Sequence, residues 1–355
     1  MANIIGGPAA RIIGGPAARI IGGPAAWRGC DIADHDDWKI ELTATHRAEL
    51  LAALASVDHP SVDHPSVDHP GIGLRDITRE NFPLPTLGPV LADVVTELVD
   101  GRGFVLLRGV PIEGLDERSI ELMYWGIGQH VGAPLHQQGP DDLLVHIRDM
   151  GLDPDDPLVR GFQTSARLDY HADSSDVVGL LCVRPAKSGG VSTIISSVAV
   201  HDELVRTRPD VAERLHDQWW HDRRSGEGAE SFFRCSVFAE HDGRLFAHYG
   251  RQYMESASRG PGVPEMTAEQ VAALDALDAV ANAPEFVLNM DFRVGDIQFL
   301  NNYTVMHART DYVDHPEPER RRDLIRLWLT LRGDFSLPPD FEAGGIVSRD
   351  AALGD

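Results

Sequence analysis

Two patterns of apolar residues divide the chain into a helical part and a strand-rich part. In the first, apolar residues recur every three or four positions, which is typical of helices. In the second, from about residue 160 onward, short apolar runs lie between glycine and aspartate turns, which is typical of strands. The predicted helices are 89–100, 116–130, 198–205, 210–216 and 267–282, and the predicted strands are 103–110, 177–183, 191–196, 232–238, 244–248, 286–290, 297–300 and 323–331.

This order of elements predicts a mainly β fold with helical additions, built on an antiparallel sandwich or jelly roll. No glycine-rich phosphate loop follows a strand, so a parallel βαβ fold is not indicated. We expect residues 1–86 to form a partly irregular N-terminal segment and residues 87–355 to form one domain. Around residues 139–167 the chain mixes Asp, Pro and Gly, which predicts a lid beside a site.

Tandem duplications mark the N-terminal segment. The sequence of residues 4–11 recurs at 12–19 and, with Trp27 in place of the final arginine, at 20–27, and that of residues 56–60 recurs twice, ending at residue 70. Periods of eight and five residues are too short for solenoid repeats, so they do not bear on the fold. His59, His64 and His69 form a histidine-rich tract that is able to chelate a metal, although a proline-rich loop is the favoured interpretation.

Composition narrows the class of protein. The 355 residues include 55 acidic and 32 basic side chains, giving a formal net charge of -23. Such a charge repels phosphate backbones, which argues against nucleic acid and anionic membranes as main partners but does not forbid a local basic pocket. The three cysteines are widely spaced, and neither a membrane span nor a signal peptide is evident. We therefore expect a cytoplasmic protein, and whether it forms a homo-oligomer stays open.

Three residues form a candidate metal site. His171 and Asp173 lie two positions apart in a segment predicted to be extended, so their side chains point to the same face. His307 ends a strand-like run far downstream. Two imidazoles and one carboxylate bind one face of an iron(II) octahedron and leave the opposite face open. If the three do not meet, His171 and Asp173 are a hydrogen-bonded surface pair.

Candidate anion-binding residues accompany this set. Arg322 follows His307 by fifteen residues and Arg326 comes four residues later. A guanidinium on a strand clamps a carboxylate with two parallel hydrogen bonds. Ser192, just after a Gly-Gly turn, offers a hydroxyl to the same anion. The alternatives are a surface ion pair for Arg322 and a turn-stabilising role for Ser192.

These motifs together resemble the TauD/TfdA (taurine dioxygenase-like) family. The resemblance rests on H-A-D, P-x-x-x-G-G-x-S, G-D-x-x-F-x-N-N-x-x-x-x-H and R-x-x-x-R, and it extends over residues 90–332. It implies a double-stranded β-helix, a cupin-like jelly roll, with iron(II), 2-oxoglutarate and O2 as cofactor and cosubstrates. It also implies roles for the candidate residues: His171, Asp173 and His307 as catalytic metal ligands, and Arg322, Ser192 and Arg326 in cosubstrate binding.

More than one arginine is a candidate for the cosubstrate-binding role. An insertion at residues 315–319 lengthens the distance from His307, so Arg320 and Arg321 are also candidates for holding the distal carboxylate of 2-oxoglutarate. Arg322 is preferred because Arg326 follows it four residues on, as the family pattern requires. Contacts specific for taurine have no convincing match, so the resemblance does not name the substrate.

The implied activity is hydroxylation of an unactivated C–H bond in a small molecule, or its desaturation or cyclisation, with release of succinate and CO2. Asp173 fills the ligand position that a halide needs, which disfavours halogenation. Two other classes compete with this hypothesis. One is a non-catalytic metal-binding or sensor jelly roll. The other is a zinc hydrolase, which lacks a general-base motif such as H-E-x-x-H.

Overall fold

The computed structural model describes residues 18–57, 72–137, 142–153, 156, 159–225, 228–333 and 336–343. Most of the duplicated segments, His59, His64, His69 and part of the predicted lid lie outside the described residues. The helices are α1 Gly29–Ile32, α2 Ala44–Val57, α3 Leu87–Asp100, α4 Glu117–Val131, α5 Ser197–Thr207, α6 Pro209–Leu215, α7 Arg251–Glu255, α8 Ala268–Ala281 and α9 Pro339–Ala343.

The strands are short, and most of them belong to two facing sheets. They are β1 Lys39–Glu41, β2 Phe104–Arg108, β3 Ala133–Pro134, β4 Leu144–Ile147, β5 Leu168–His171, β6 Val177–Arg184, β7 Ser188–Gly189, β8 Ser192–Ser196, β9 Gln218–Asp222, β10 Phe232–Ser236, β11 Phe238–His241, β12 Arg244–Ala247, β13 Leu288–Met290, β14 Ile297–Asn301, β15 Val305–Arg309, β16 Tyr312–Val313 and β17 Asp323–Thr330.

The major sheet has the order β1-β2-β14-β6-β17-β3, with β4 also paired to β17. The minor sheet has the order β13-β8-β15-β5. All pairings are antiparallel except that of β1 with β2. This arrangement is the one that the jelly-roll prediction requires.

Side chains alternate between the two faces of each strand, and this alternation builds three apolar layers. In β17, Leu324 and Trp328 point between the sheets, whereas Ile325 and Leu327 pack beneath the helices that cover the major sheet. The outer face of the minor sheet, including Met306 of β15, packs against α5, α6 and α8. The space between the sheets is therefore enclosed on both sides. No helix in the described part of the chain is long and apolar enough to cross a membrane.

Most predicted elements are present within a few residues, but the predicted strand 232–238 is not continuous. That run is divided between β10 and β11. Strand β11 pairs with β12 across Asp242 and Gly243, whose φ angles of 49° and 76° suit a tight hairpin turn. Strand β10 pairs instead with β9, a segment that the pattern did not predict as a strand. The chain thus forms two hairpins in this region.

Close packing of α4 yields a stability prediction. A Cβ added at Gly126 would lie 2.5 Å from the ring of Phe82, which is fully buried. We expect Gly126→Ala to lower the free energy of unfolding by about 1–3 kcal/mol, because the ring has no room to move. Gly88→Ala in α3 is the matched control, since the nearest side-chain atom there is 3.7 Å away.

Urea denaturation measures both variants. We expect Gly88→Ala to be neutral or to stabilise the protein by up to about 1 kcal/mol, since alanine favours the helix over glycine. Equal effects of the two substitutions would contradict the packing argument.

Candidate metal centre

Strand pairing brings the three predicted metal ligands together. His171 at the end of β5 lies directly opposite His307 of β15, and their ring centroids are 4.2 Å apart. Asp173 follows two residues later, with its Oδ2 atom 3.8 Å from His307 Nε2. One potential ligand atom from each residue lies within 4.8 Å of the other two. This grouping matches the one that the sequence predicts.

The loop that carries Asp173 is fixed by hydrogen bonds from the turn between β14 and β15. The side chain of Asn302 accepts from the Asp173 backbone N–H at 3.1 Å and donates to the Ser175 carbonyl at 2.9 Å. The buried carboxylate of Asp176 accepts from the Tyr303 and Thr330 hydroxyls. The turn that precedes His307 therefore also positions Asp173.

Protonation states in this cluster suit a metal ion. Burial raises the pKa of Asp173, but the charges of Arg326 and the two histidines outweigh this effect and bring it to about 2. Burial and the nearby His171 lower the pKa of His307 to about 3. The carboxylate is ionised and this imidazole is neutral, as metal coordination requires.

The orientation of the His171 imidazole is also suitable. The Nδ1 atom of His171 lies 2.9 Å from the Asp169 carbonyl, to which it donates, so its Nε2 lone pair is available. His307 has its Nε2 atom 3.8 Å from Asp173 Oδ2, whereas its Nδ1 is buried and has no hydrogen-bond partner to fix the ring. Two nitrogen donors and one oxygen donor on a single face fit iron(II).

Arg326 lies against the candidate metal ligand Asp173. Its Nη1 atom is 3.2 Å from Asp173 Oδ1, and its Nε donates to Gln137 at 2.7 Å. Trp328 donates its indole N–H to Asp173 Oδ2 at 3.1 Å, and Arg326 packs over that indole ring. Sequence reasoning placed Arg326 at the cosubstrate, and that role stays a prediction.

A second charged pocket lies around the ring of Tyr312 in β16. Arg322 and Arg309 are both buried and both pack on the ring of Tyr312. Arg322 Nη1 and Arg309 Nε and Nη1 have no hydrogen-bond partners. Burial and the neighbouring Arg322 lower the pKa of Arg309 to about 10. Two buried guanidiniums with unsatisfied donors are able to donate hydrogen bonds to an anion.

The other candidate arginines lie outside this pocket. Arg320 and Arg321 are exposed, and their side chains contact Glu317 and the Pro316 carbonyl, respectively. The geometry therefore favours Arg322 among the three consecutive arginines.

Ser192 and Arg309 line the same part of the site. Ser192 is buried and lies opposite Arg309 in the register of β8 and β15. Sequence reasoning missed Arg309, although its position two residues after His307 in β15 places both side chains on one face.

Comparisons with known proteins point to one family. A sequence model described as taurine catabolism dioxygenase TauD, TfdA family matches residues 65–328. FR-33289 synthase of Streptomyces rubellomurinus is 29% identical over 318 residues, covering 88% of this chain and 91% of that protein. The taurine hydroxylase-like protein of Stachybotrys chartarum is 29% identical over 316 residues, covering 85% and 77%, respectively.

Solved structures share the fold. An asparagine oxygenase bound to Fe(II), 3-hydroxyasparagine and succinate has a TM-score of 0.63 at 15% identity, covering 82% of this chain and 93% of that one. The non-haem iron oxygenase OrfP bound to iron and α-ketoglutaric acid has a TM-score of 0.58 at 17% identity, covering 83% and 94%. The predicted double-stranded β-helix is confirmed.

The buried ion pair between Asp173 and Arg326 can be tested without metal. Asp173→Ala leaves the guanidinium buried without its carboxylate, and we expect a loss of about 3–5 kcal/mol in the free energy of unfolding. Arg326→Met should also destabilise the protein. In Asp173→Ala/Arg326→Met, no uncompensated charge remains, so the loss should be smaller than the sum of the single losses by about 1–3 kcal/mol.

Denaturant unfolding of the four metal-free proteins gives this coupling energy. Additive losses would show that the two charges do not stabilise one another.

Proposed function

The chain belongs to the taurine catabolism dioxygenase TauD, TfdA family, and from that membership we propose that His171, Asp173 and His307 hold its iron(II). The protein is a hydroxylating non-haem iron oxygenase that uses 2-oxoglutarate and O2. The non-catalytic alternative is not favoured, because the relatives are named as a synthase, a hydroxylase-like protein and dioxygenases.

The observation that carries the ligand assignment is the convergence of two imidazoles and one ionised carboxylate within 4.8 Å. Bound iron(II) would supply O2 activation, which couples conversion of 2-oxoglutarate to succinate and CO2 with oxidation of a substrate C–H bond. The protein contributes the orientation of the ligands. Arg326 and Trp328 donate to Oδ1 and Oδ2 of the Asp173 carboxylate, and Asn302 accepts from the Asp173 backbone N–H.

We propose that the pocket of Arg322 and Arg309 binds the distal carboxylate of 2-oxoglutarate. Support comes from the buried guanidinium donors that have no protein partner. Ser192 lies opposite Arg309 and would donate its hydroxyl to the same carboxylate. Arg326 is already paired with Asp173, so its contribution to cosubstrate binding would act through that carboxylate.

We propose that residues 159–167 are the part of the predicted lid that closes over the site. Arg309 Nη2 donates to the carbonyls of Thr164 and Ala166, which ties this segment to the pocket. Phe162 packs over the Arg326 guanidinium with a separation of 5.0 Å. Closing this segment would keep water from the charged groups, which strengthens their interactions.

We propose a small-molecule substrate and a cytoplasmic location. One relative, from Amycolatopsis, is named a uridine-5'-phosphate dioxygenase, and it is 30% identical over 175 residues covering 47% of this chain. The net charge of -23 opposes binding to nucleic acid or an anionic membrane. Cys30, Cys182 and Cys235 are free thiols, which suits a reducing compartment.

Iron and cosubstrate binding give a spectroscopic prediction. Anaerobic addition of iron(II) and 2-oxoglutarate should produce a weak visible charge-transfer band. The band should disappear in His307→Ala, since one ligand is lost, and persist in His35→Ala, since His35 is an exposed residue outside the cluster. A band of unchanged intensity in His307→Ala would exclude His307 as a ligand.

The role of Arg322 is tested by a neighbouring pair of variants. Removing charged hydrogen bonds costs about 1.5–3 kcal/mol, so Arg322→Met should raise the KM for 2-oxoglutarate by roughly 10- to 150-fold. Arg321→Met, at the adjacent exposed residue, should change it by less than about twofold. Succinate release is the measurement. An unchanged KM in Arg322→Met would show that another arginine binds the distal carboxylate of 2-oxoglutarate.

A further inference from the structure

A second group of metal-ligating side chains lies outside the proposed iron site. His221, Cys235 and His248 each offer one ligand atom, and these atoms lie within 4.8 Å of one another. All three residues are buried, with His221 and Cys235 exposing 1% or less of their surface. The group shares no residue with the set of His171, Asp173 and His307. Its donors are two nitrogens and one sulfur.

Three separate elements bring this group together. His221 of β9 lies opposite Phe233 of β10, and Cys235 lies two residues further along β10, so it is a diagonal neighbour of His221. His248 follows β12, and its backbone N–H donates to the carbonyl of Val237, just after β10. The β9–β10 hairpin is thereby held against the segment that leads to the metal centre, where Tyr249 accepts from the Ala172 N–H.

The ring of His221 is oriented as a metal ligand would be. Its Nε2 atom is buried and has no hydrogen-bond partner. Its hydrogen bond to the backbone of Cys235 must therefore use Nδ1. A histidine that donates from one nitrogen to a backbone carbonyl presents the lone pair of the other nitrogen, as metal-bound histidines do.

Neither imidazole in the group is charged near neutral pH. Burial, followed by the nearby His248, lowers the pKa of His221 well below its usual value. Burial and the charge of Arg223 lower the pKa of His248 to about 4. Burial also raises the pKa of the Cys235 thiol, so the group carries no net charge. A divalent cation would convert the thiol to a thiolate and release its proton to solvent.

We propose that His221, Cys235 and His248 form a second metal site that takes a zinc-class divalent cation. Zinc combines thiolate and imidazole ligands, almost always in a four-coordinate tetrahedral arrangement. Three protein ligands would leave a fourth position for water or another small ligand. The bound ion would cross-link β9, β10 and the segment after β12. Without a metal, the group would be only a packed cluster in which Phe233 stacks on the His221 ring.

Zinc binding by the full chain tests this site in isolation from the iron site. A background carrying His171→Ala and His307→Ala removes the proposed iron ligands but keeps the Asp173–Arg326 ion pair. Cys30→Ser is added because Cys30 is an exposed thiol. After chelator treatment, we expect this protein to bind one equivalent of Zn(II) in competition with a chromophoric chelator under anaerobic conditions.

Loss of a group that is hydrogen-bonded to a metal ligand weakens metal binding roughly 10- to 100-fold. Loss of the ligand itself should cost more, so we expect Cys235→Ser in that background to weaken Zn(II) binding by more than this factor. Cys182→Ser is the matched control, because Cys182 is a buried thiol outside the cluster and should leave binding unchanged. Circular dichroism verifies that each variant is folded.

Cobalt(II) supplies a readout that does not depend on a folded Cys235→Ser variant. Bound to the background protein, Co(II) should show a thiolate-to-metal charge-transfer band in the near ultraviolet. Absence of Zn(II) binding or of this band in the folded background protein would overturn the second site. Survival of the band in Cys235→Ser would also overturn it. Neither result would bear on the iron site, which the background lacks.

Discussion

The buried carboxylate of Asp173 is the group on which the rest of the site depends. It lies between a guanidinium and an indole N–H, so its negative charge is compensated although it is removed from water. Both groups come from the inner face of β17 in the major sheet, whereas Asp173 follows β5 of the minor sheet. The two sheets must therefore pack in the observed arrangement for the carboxylate to be tolerated at all.

The burial of charged groups between the sheets is possible because β15 and β17 each have two different faces. In β17, Arg326 and Trp328 point to the site while Ile325 and Leu327 pack under the helices. In β15, His307 and Arg309 point inward while Met306 packs outward. The apolar outer faces supply the burial that stabilises the fold, and that stability offsets the cost of placing charged groups inside.

The sequence predicted the parts of the site that depend on local spacing. His171 and Asp173 are two residues apart on a strand end, and the motifs around His307 and Arg322 resemble those of one family. It did not predict what Arg326 touches, because that depends on the packing of β17 against the Asp173 loop. Strand β9 was missed because Gln-Trp-Trp-His-Asp lacks alternation, and its pairing with β10 is set by the chain around it.

Because β1 pairs with β2 in parallel, the N-terminal segment contributes one strand to the major sheet. Lys39–Glu41 covers the edge of β2, and Trp27 packs on Phe104 of the same strand. A shortened chain that starts at residue 87 would expose the backbone donors and acceptors of β2 as an open edge. Open edges recruit strands from other molecules. The segment before α3 thus pairs with the edge of β2 that such a shortened chain would leave open.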